Sequence, residues 1–381
     1  MFKNILRLRT FKGVKLLQFQ VIRRQLFSPS PLGLLEFDTQ QQILRQKIAH
    51  RKGDFLKRLQ VYMDDGKKIL TEDITTLLYL ADNDDEFNFA LEVIARYKEL
   101  QEKQSFHTYF PVGIHALQML YLHGKHDMAF KWFLDEKYNV ETSCRNRQCF
   151  MIMMDLLYEH GRFEDVVSLL TAADNYLDRK YPELTNLVLA SLYRMNTRES
   201  LEKMMTFLNE LCLDPVQLTN RCALLSVMLA YKQDEVELML EILQLPIFHV
   251  CSKKFISTIP NMKILAYIEL GRVEEAVDIL KDAVVKYKKP VPLFFQEVLD
   301  KLDSAVTKSG NLELQSLCQS MFRTFKVAGF VLPTHIDDYM LGVIKYKEYE
   351  MLLNINRHMT VYSGIKSFSS RLAMKDTKLI T

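Results

Sequence analysis

The stretch Met153–Leu170 reads MMDLLYEHGRFEDVVSLL. Its apolar residues keep helical spacing up to Tyr158, break at Gly161, and resume over Val166, Val167, Leu169 and Leu170. Glycine accepts the left-handed backbone that ends a helix, so the stretch predicts helix, tight turn, helix. Four further segments align with it: ALQMLYLHGKHDMAFKWF from Ala116, VLASLYRMNTRESLEKMM from Val188, SVMLAYKQDEVELMLEIL from Ser226 and KILAYIELGRVEEAVDIL from Lys263. The aligned anchors Tyr121, Tyr158, Tyr193, Tyr231 and Ile268 are spaced by 37, 35, 38 and 37 residues. Three positions after each anchor comes a stop, at Gly124, Gly161, Asn196, Asp234 and Gly271. Five residues beyond each stop comes an apolar knob, Ala129, Val166, Leu201, Met239 or Ala276, placed where a second helix crosses the first. One such pair cannot bury its own apolar surface, so the period predicts a stack of helix pairs. A sixth, degenerate unit precedes these, with Ile74, Leu77, Leu78 and Leu80 in its first helix and Ala90, Leu91, Val93 and Ile94 in its second.

Composition agrees with an all-α chain. Gly and Pro together number 22 of 381 residues, too few for the turns of an all-β or doubly wound fold of this length. The six cysteines contain no C-x-x-C pair and sit in or beside apolar helical patterns, as buried thiols in a reducing compartment do. No run of 18 apolar residues suggests a membrane span.

The small net charge of +3 conceals a division along the chain. Residues 1–35 hold Lys3, Arg7, Arg9, Lys12, Lys15, Arg23 and Arg24 and no acid; Glu36 is the first acidic residue. These cations are interleaved with apolar residues and followed by Ser28-Pro29-Ser30-Pro31, the composition of a mitochondrial transit peptide. A basic arm for nucleic acid or a membrane surface is the alternative. Without this segment the chain is near −4, and because residues 341–381 are locally +4, the middle is about −8.

Period and signature choose among helical repeats. Trp132 is the only tryptophan and lies in a second helix, away from the tetratricopeptide position. HEAT and armadillo units are longer, at about 40–47 residues. A period near 35 with Gly-x-x-x-x-Ala across the turn, as in Gly124–Ala129 and Gly271–Ala276, resembles the pentatricopeptide repeat. The segments from Met154, Leu189, Arg221 and Phe325 resemble animal mitochondrial members of that family, over most of residues 50–370. The resemblance implies a right-handed superhelical solenoid in the mitochondrial matrix that binds mitochondrial RNA. It also implies a part in transcript maturation and respiratory-chain expression, with RNA-processing nucleases or the mitochondrial ribosome as partners. The expected organisation is a transit peptide over 1–35, a helical cap over 36–70, about six repeats over 71–290, capping helices over 291–345 and a basic tail over 346–381.

In that family each unit reads a base mainly through a first-helix residue. The family position, ten residues before the turn, falls on Ile114, Met151, Asn186, Leu224 and Asn261. The second position falls on Asn146, Tyr181, Thr219 and Ile256, so only Asn186 with Thr219 is polar at both. Arg145, Arg147, Tyr181, Arg221 and Lys263 lie near the same helices and suit phosphate contact and stacking. The alternative reading makes Asn186 and Asn261 capping or solvated residues and the cations solvated surface. The acidic middle and the apolar Ile114, Met151 and Leu224 suit a protein-interaction scaffold instead.

No phosphate-cradling glycine loop, G-x-S-x-G or H-E-x-x-H occurs. His115, His123 and His126 are read as solvated turn residues, and Cys144 with Cys149 has the wrong spacing for zinc. Glu297, Asp300, Asp303, Asp337 and Asp338 are read as a solvated face closing the array, with an unrecognised nuclease site as the rival. The expectation is no enzyme, cofactor or metal.

Overall fold

The computed structural model describes residues 26–104, 112–135, 146–177, 181–213, 219–245, 258–286 and 294–343. Among them are seventeen α-helices and two short strands. Helices α1 (Leu34–Ile48) and α2 (Lys52–Asp64) precede the helix pairs. The pairs are α3 (Thr71–Leu80) with α4 (Asp84–Gln104), α5 (Val112–Leu122) with α6 (His126–Leu134), and α7 (Arg147–Glu159) with α8 (Phe163–Tyr176). They continue as α9 (Pro182–Met195) with α10 (Arg198–Leu213), α11 (Asn220–Lys232) with α12 (Val236–Leu243), and α13 (Thr258–Glu269) with α14 (Val273–Lys286). A last pair, α15 (Gln296–Ser309) and α16 (Leu312–Val327), is followed by the short α17 (Ile336–Met340).

The five stops of the sequence period are left-handed residues: φ is 65° at Gly124, 76° at Gly161, 49° at Asn196, 60° at Asp234 and 71° at Gly271. At Gly161 the turn amide donates to the Tyr158 carbonyl, and the amide of Arg162 donates to that of Leu157. The same two hydrogen bonds recur after Tyr121, Tyr231 and Ile268, satisfying carbonyls that the helix end leaves open. All five knobs, Ala129, Val166, Leu201, Met239 and Ala276, are buried. So are the eight apolar residues assigned to the degenerate first unit.

Residues 296–327 form two full helices joined at Gly310, with φ 71°, and so repeat the helix-turn-helix plan. Half-buried Gln315 stands where the knob would be, which hid this pair from the period comparison. The first helices of successive units stack on one another, α3 on α5, α5 on α7, α7 on α9 and α9 on α11, forming one layer. Side-chain hydrogen bonds cross between units at the repeat spacing: Tyr121 to Asp155, Arg162 to Asp127 and Gln233 to Asn196.

Both ends of the described chain return to the first-helix layer. Phe37 packs on Tyr79 of α3 and His115 of α5, with ring centroids 4.7 and 6.0 Å apart. The Gln118 amide of α5 donates to the Leu32 carbonyl at 2.9 Å. Leu26, Phe27, Leu32 and Leu34 are all buried. Four of residues 26–35, which composition groups with the basic leader, therefore belong to the core; residues 1–25, with all seven cations, lie outside the described residues. At the other end, β2 (Val331–Leu332) pairs in parallel with β1 (Phe294–Phe295), and the chain then runs back to α11 and α9. The basic tail over 346–381 is outside the described residues.

Candidate nucleic-acid interface

Asn186 sits on α9 with 1% of its surface exposed. Its Nδ2 donates to the Pro182 carbonyl at 2.7 Å, and its Oδ1 accepts from the Thr219 hydroxyl at 3.2 Å. Thr219 is the N-cap of α11 and its Oγ1 accepts from the Cys222 amide at 3.1 Å. Asn261 is fully buried, and its Oδ1 accepts from the Phe295 amide at 3.0 Å. The two asparagines expected to read bases instead join one unit to the next, and a base edge reaches neither without displacing these partners. The reason is physical: α9 is buried from Pro182 to Tyr193 and Asn261 is fully buried against the Phe295 amide, so a polar side chain at either place needs internal partners.

The cations fare differently. Arg145 lies outside the described residues. Arg147, on the first turn of α7, pairs with Glu183 of α9, and its guanidinium lies 5.0 Å from the Tyr181 ring centroid. Arg221 Nη1 donates to the Gly342 carbonyl at 2.7 Å. Lys263 is exposed on α13. Of the remaining family positions, Asn146 is the N-cap of α7 and accepts from the Cys149 amide at 3.0 Å. Met151 and Leu224 are buried, Ile114 is half-buried, and Ile256 is outside the described residues.

The structure adds cations that the family positions missed. Lys232 lies 4.1 Å from the Tyr193 ring centroid and donates to Asp337 at 2.7 Å. Lys301 of α15 donates to the Tyr231 hydroxyl at 2.8 Å and lies over that ring. Arg194, at the end of α9, helps hold the Asp337 carboxyl below its ordinary range. Burial is the largest single influence and pushes this carboxyl up, but the hydrogen bonds from Lys232 and Tyr193 and the charges of Lys232 and then Arg194 together outweigh it. A sequence signal was available: the anchors Tyr193 and Tyr231 are each followed by a cation, Arg194 and Lys232.

A cavity of about 330 Å³ opens between these side chains and residues 335–338. Every lining residue outside that segment comes from a first helix, namely α9, α11, α13 or α15. The three histidines are not solvated turn residues. His115 packs against Phe37 and Tyr79, His123 against Phe87, and His126 stacks on His160 with centroids 4.2 Å apart. Burial, then Arg45, lowers the His123 pKa. Among the described residues no three His, Cys, Asp or Glu gather to hold a metal ion. Cys149, Cys222 and Cys318 are buried free thiols. Of the carboxylates near the end of the array, Glu297, Asp337 and Asp338 line the cavity; Glu297 accepts from the Ile336 amide and His335, and Asp300 accepts from Gln296.

No family model matches the chain. It is 23% identical over 355 residues to the mitochondrial pentatricopeptide repeat-containing protein 2 of Homo sapiens, covering 92% of this chain and 88% of that one. The Mus musculus protein of that name is 24% identical over 262 residues, covering 69% and 67% of the two chains. The Xenopus laevis protein is 25% identical over 214 residues, covering 56% and 55%. Together with the helix-pair period and its left-handed turns, these likenesses relate the chain to the pentatricopeptide repeat proteins.

Proposed function

We propose that this chain is a mitochondrial RNA-binding helical-repeat protein that holds a transcript during its maturation, and so supports respiratory-chain expression. The chemistry is assigned to separate nucleases, and none to this chain. What carries the reading is the likeness to relatives named as mitochondrial pentatricopeptide repeat proteins, along most of the chain. The candidate phosphate contacts are Arg147, Arg194, Arg221, Lys232, Lys263 and Lys301, which stand on first helices that carry as many acids as cations. In a middle segment near −8, phosphate binding requires cations gathered locally, and Arg194, Lys232 and Lys301 gather on the wall of one cavity. With Asn186, Thr219 and Asn261 engaged internally, capture rests on phosphate contacts and on stacking at Tyr181, and base reading is weak.

The basic, acid-free residues 1–25 suit import into the matrix. Among the described residues no helix is long and apolar enough to cross a membrane. The test is ultraviolet crosslinking in mitochondria followed by RNA sequencing. Crosslinks concentrated on messenger precursors are expected, and absence of crosslinks overturns the reading. A second reading, a scaffold that docks protein and associates with the mitochondrial ribosome, is favoured by the acidic middle, while Met151 and Leu224, being core residues, add no docking face. It predicts crosslinks confined to ribosomal RNA.

A further inference from the structure

The two ends of the described chain both return to the first-helix layer, but only the C-terminal one brings carboxylates to its cations. The N-terminal one, residues 26–37, buries Leu26, Phe27, Leu32, Leu34 and Phe37. Large apolar burial makes it a permanent part of the core. The C-terminal one buries only Ile336, Met340 and Leu341, while Val331 and Leu332 are half-buried. Tyr339 also packs on Phe295, with ring centroids 5.3 Å apart, and polar links add to this apolar anchoring. Asp337 accepts from Lys232 at 2.7 Å and from the Tyr193 hydroxyl at 2.5 Å, and the Gly342 carbonyl accepts from Arg221 at 2.7 Å. Glu297 holds its other side, accepting from the Ile336 amide at 2.7 Å and from His335 at 3.0 Å.

Each oxygen that this segment offers to a first-helix cation is one that a phosphate would also offer. The charge of the cavity wall makes the same point. Without the segment the wall carries Arg194, Lys232, Lys301 and Glu297, a net of +2; with Asp337 and Asp338 in place it is zero, taking histidine as neutral. We infer that residues His335–Gly342 are a releasable strap seated on a phosphate track, made by Arg194, Arg221, Lys232 and Lys301, which the RNA backbone takes up when the strap leaves. This deepens the RNA-binding reading above and rests on it. Phosphates and strap compete for the same cations, so the resting chain binds RNA weakly and the released chain binds it tightly.

The test uses the full chain and a fluorescein-labelled single-stranded RNA of mixed sequence, followed by anisotropy. Ile336→Ser with Met340→Ser removes the strap's apolar anchors, and hydrogen exchange over residues 331–343 reports its release while the first helices stay protected. Affinity is expected to rise at least about tenfold. The salt slope should steepen by about 0.7 for each phosphate newly contacted. Adding Arg221→Ala and Lys232→Ala to the released chain should return both to wild-type values. Asp337→Asn, which keeps the volume and removes one strap charge, should give a smaller rise in the same direction and serves if the serine pair fails to fold. If wild-type and released chains bind RNA equally, the strap is overturned and the RNA reading survives. A gain that persists without Arg221 and Lys232 overturns the track. If neither chain binds although exchange shows the strap released, the RNA reading falls as well.

Discussion

Two left-handed residues and one buried carboxyl show how single positions set the stability of this array. Asp234 holds φ at 60°, where a side chain costs about 1–2 kcal/mol relative to glycine. Asn196 is also left-handed, but its Oδ1 and its carbonyl accept from Gln233 at 2.9 and 3.0 Å, tying one turn to the next. Asp234→Gly should therefore raise the unfolding free energy by about 0.5–1 kcal/mol, whereas Asn196→Gly should be close to neutral, as urea titrations would report. Asp155 is fully buried, accepts from the Tyr121 hydroxyl at 2.8 Å, and has its pKa pushed up to about 8, chiefly by burial and then by Glu159. The folded chain thus holds a proton that the unfolded chain releases near 3.8, so this group lowers stability as pH rises from about 4 to 8. Asp155→Asn should stabilise the protein by an amount on the order of 2 kcal/mol at pH 8, with the gain vanishing towards pH 4. Thermal melts of both proteins across that range decide it: a gain independent of pH would show that Asp155 is ionised throughout.

At the scale of helices, the links between units explain what the asparagines do. Asn186→Ala removes the acceptor of the Thr219 hydroxyl, and Asn261→Ala leaves the buried Phe295 amide without that acceptor. Each should lower stability by about 1–3 kcal/mol, measured by urea unfolding, while RNA affinity of the folded protein stays unchanged. A loss of affinity without a loss of stability would return them to a reading role. The helix pairs themselves were legible in the sequence because their cause is local: apolar spacing, a left-handed stop and a knob five residues on recur within one period. Where one of those marks was missing, as at Gln315, the seventh pair was missed. The burial of Asn186 and Asn261 was not legible, because it depends on what covers the first helices. Contacts such as Tyr193 with Asp337, 144 residues apart, leave no periodic trace in either segment.

Across the whole molecule, the returning ends alter how a stack of repeats holds together. An ideal array is stabilised by each unit and its nearest neighbours alone. Here Leu32 bonds to Gln118 across 86 residues, so the N-terminal return joins the core of the repeats, whereas the Gly342–Arg221 bond, across 121 residues, belongs to the strap. The N-terminal return also constrains where a leader can end. Leu26, Phe27, Leu32 and Leu34 are each no more than 4% exposed. Burying a side chain of this kind contributes about 1.5–3 kcal/mol, an upper figure because unfolded chains are partly compact. The four together then approach the whole stability of an ordinary domain, about 5–15 kcal/mol. Processing before Leu26 removes all seven cations of the leader and leaves this core intact, whereas processing after Leu34 removes all four side chains. A chain beginning at Leu26 should therefore unfold cooperatively with the stability of the longer protein. One beginning at Glu36 should be recovered insoluble, or unfold at much lower urea. Mass spectrometry of the mature protein from mitochondria should accordingly find its first residue at or before Leu26. A mature terminus between residues 28 and 36, on a protein with full stability, would mean that the segment from Leu26 to Leu34 packs on the first helices without holding them together.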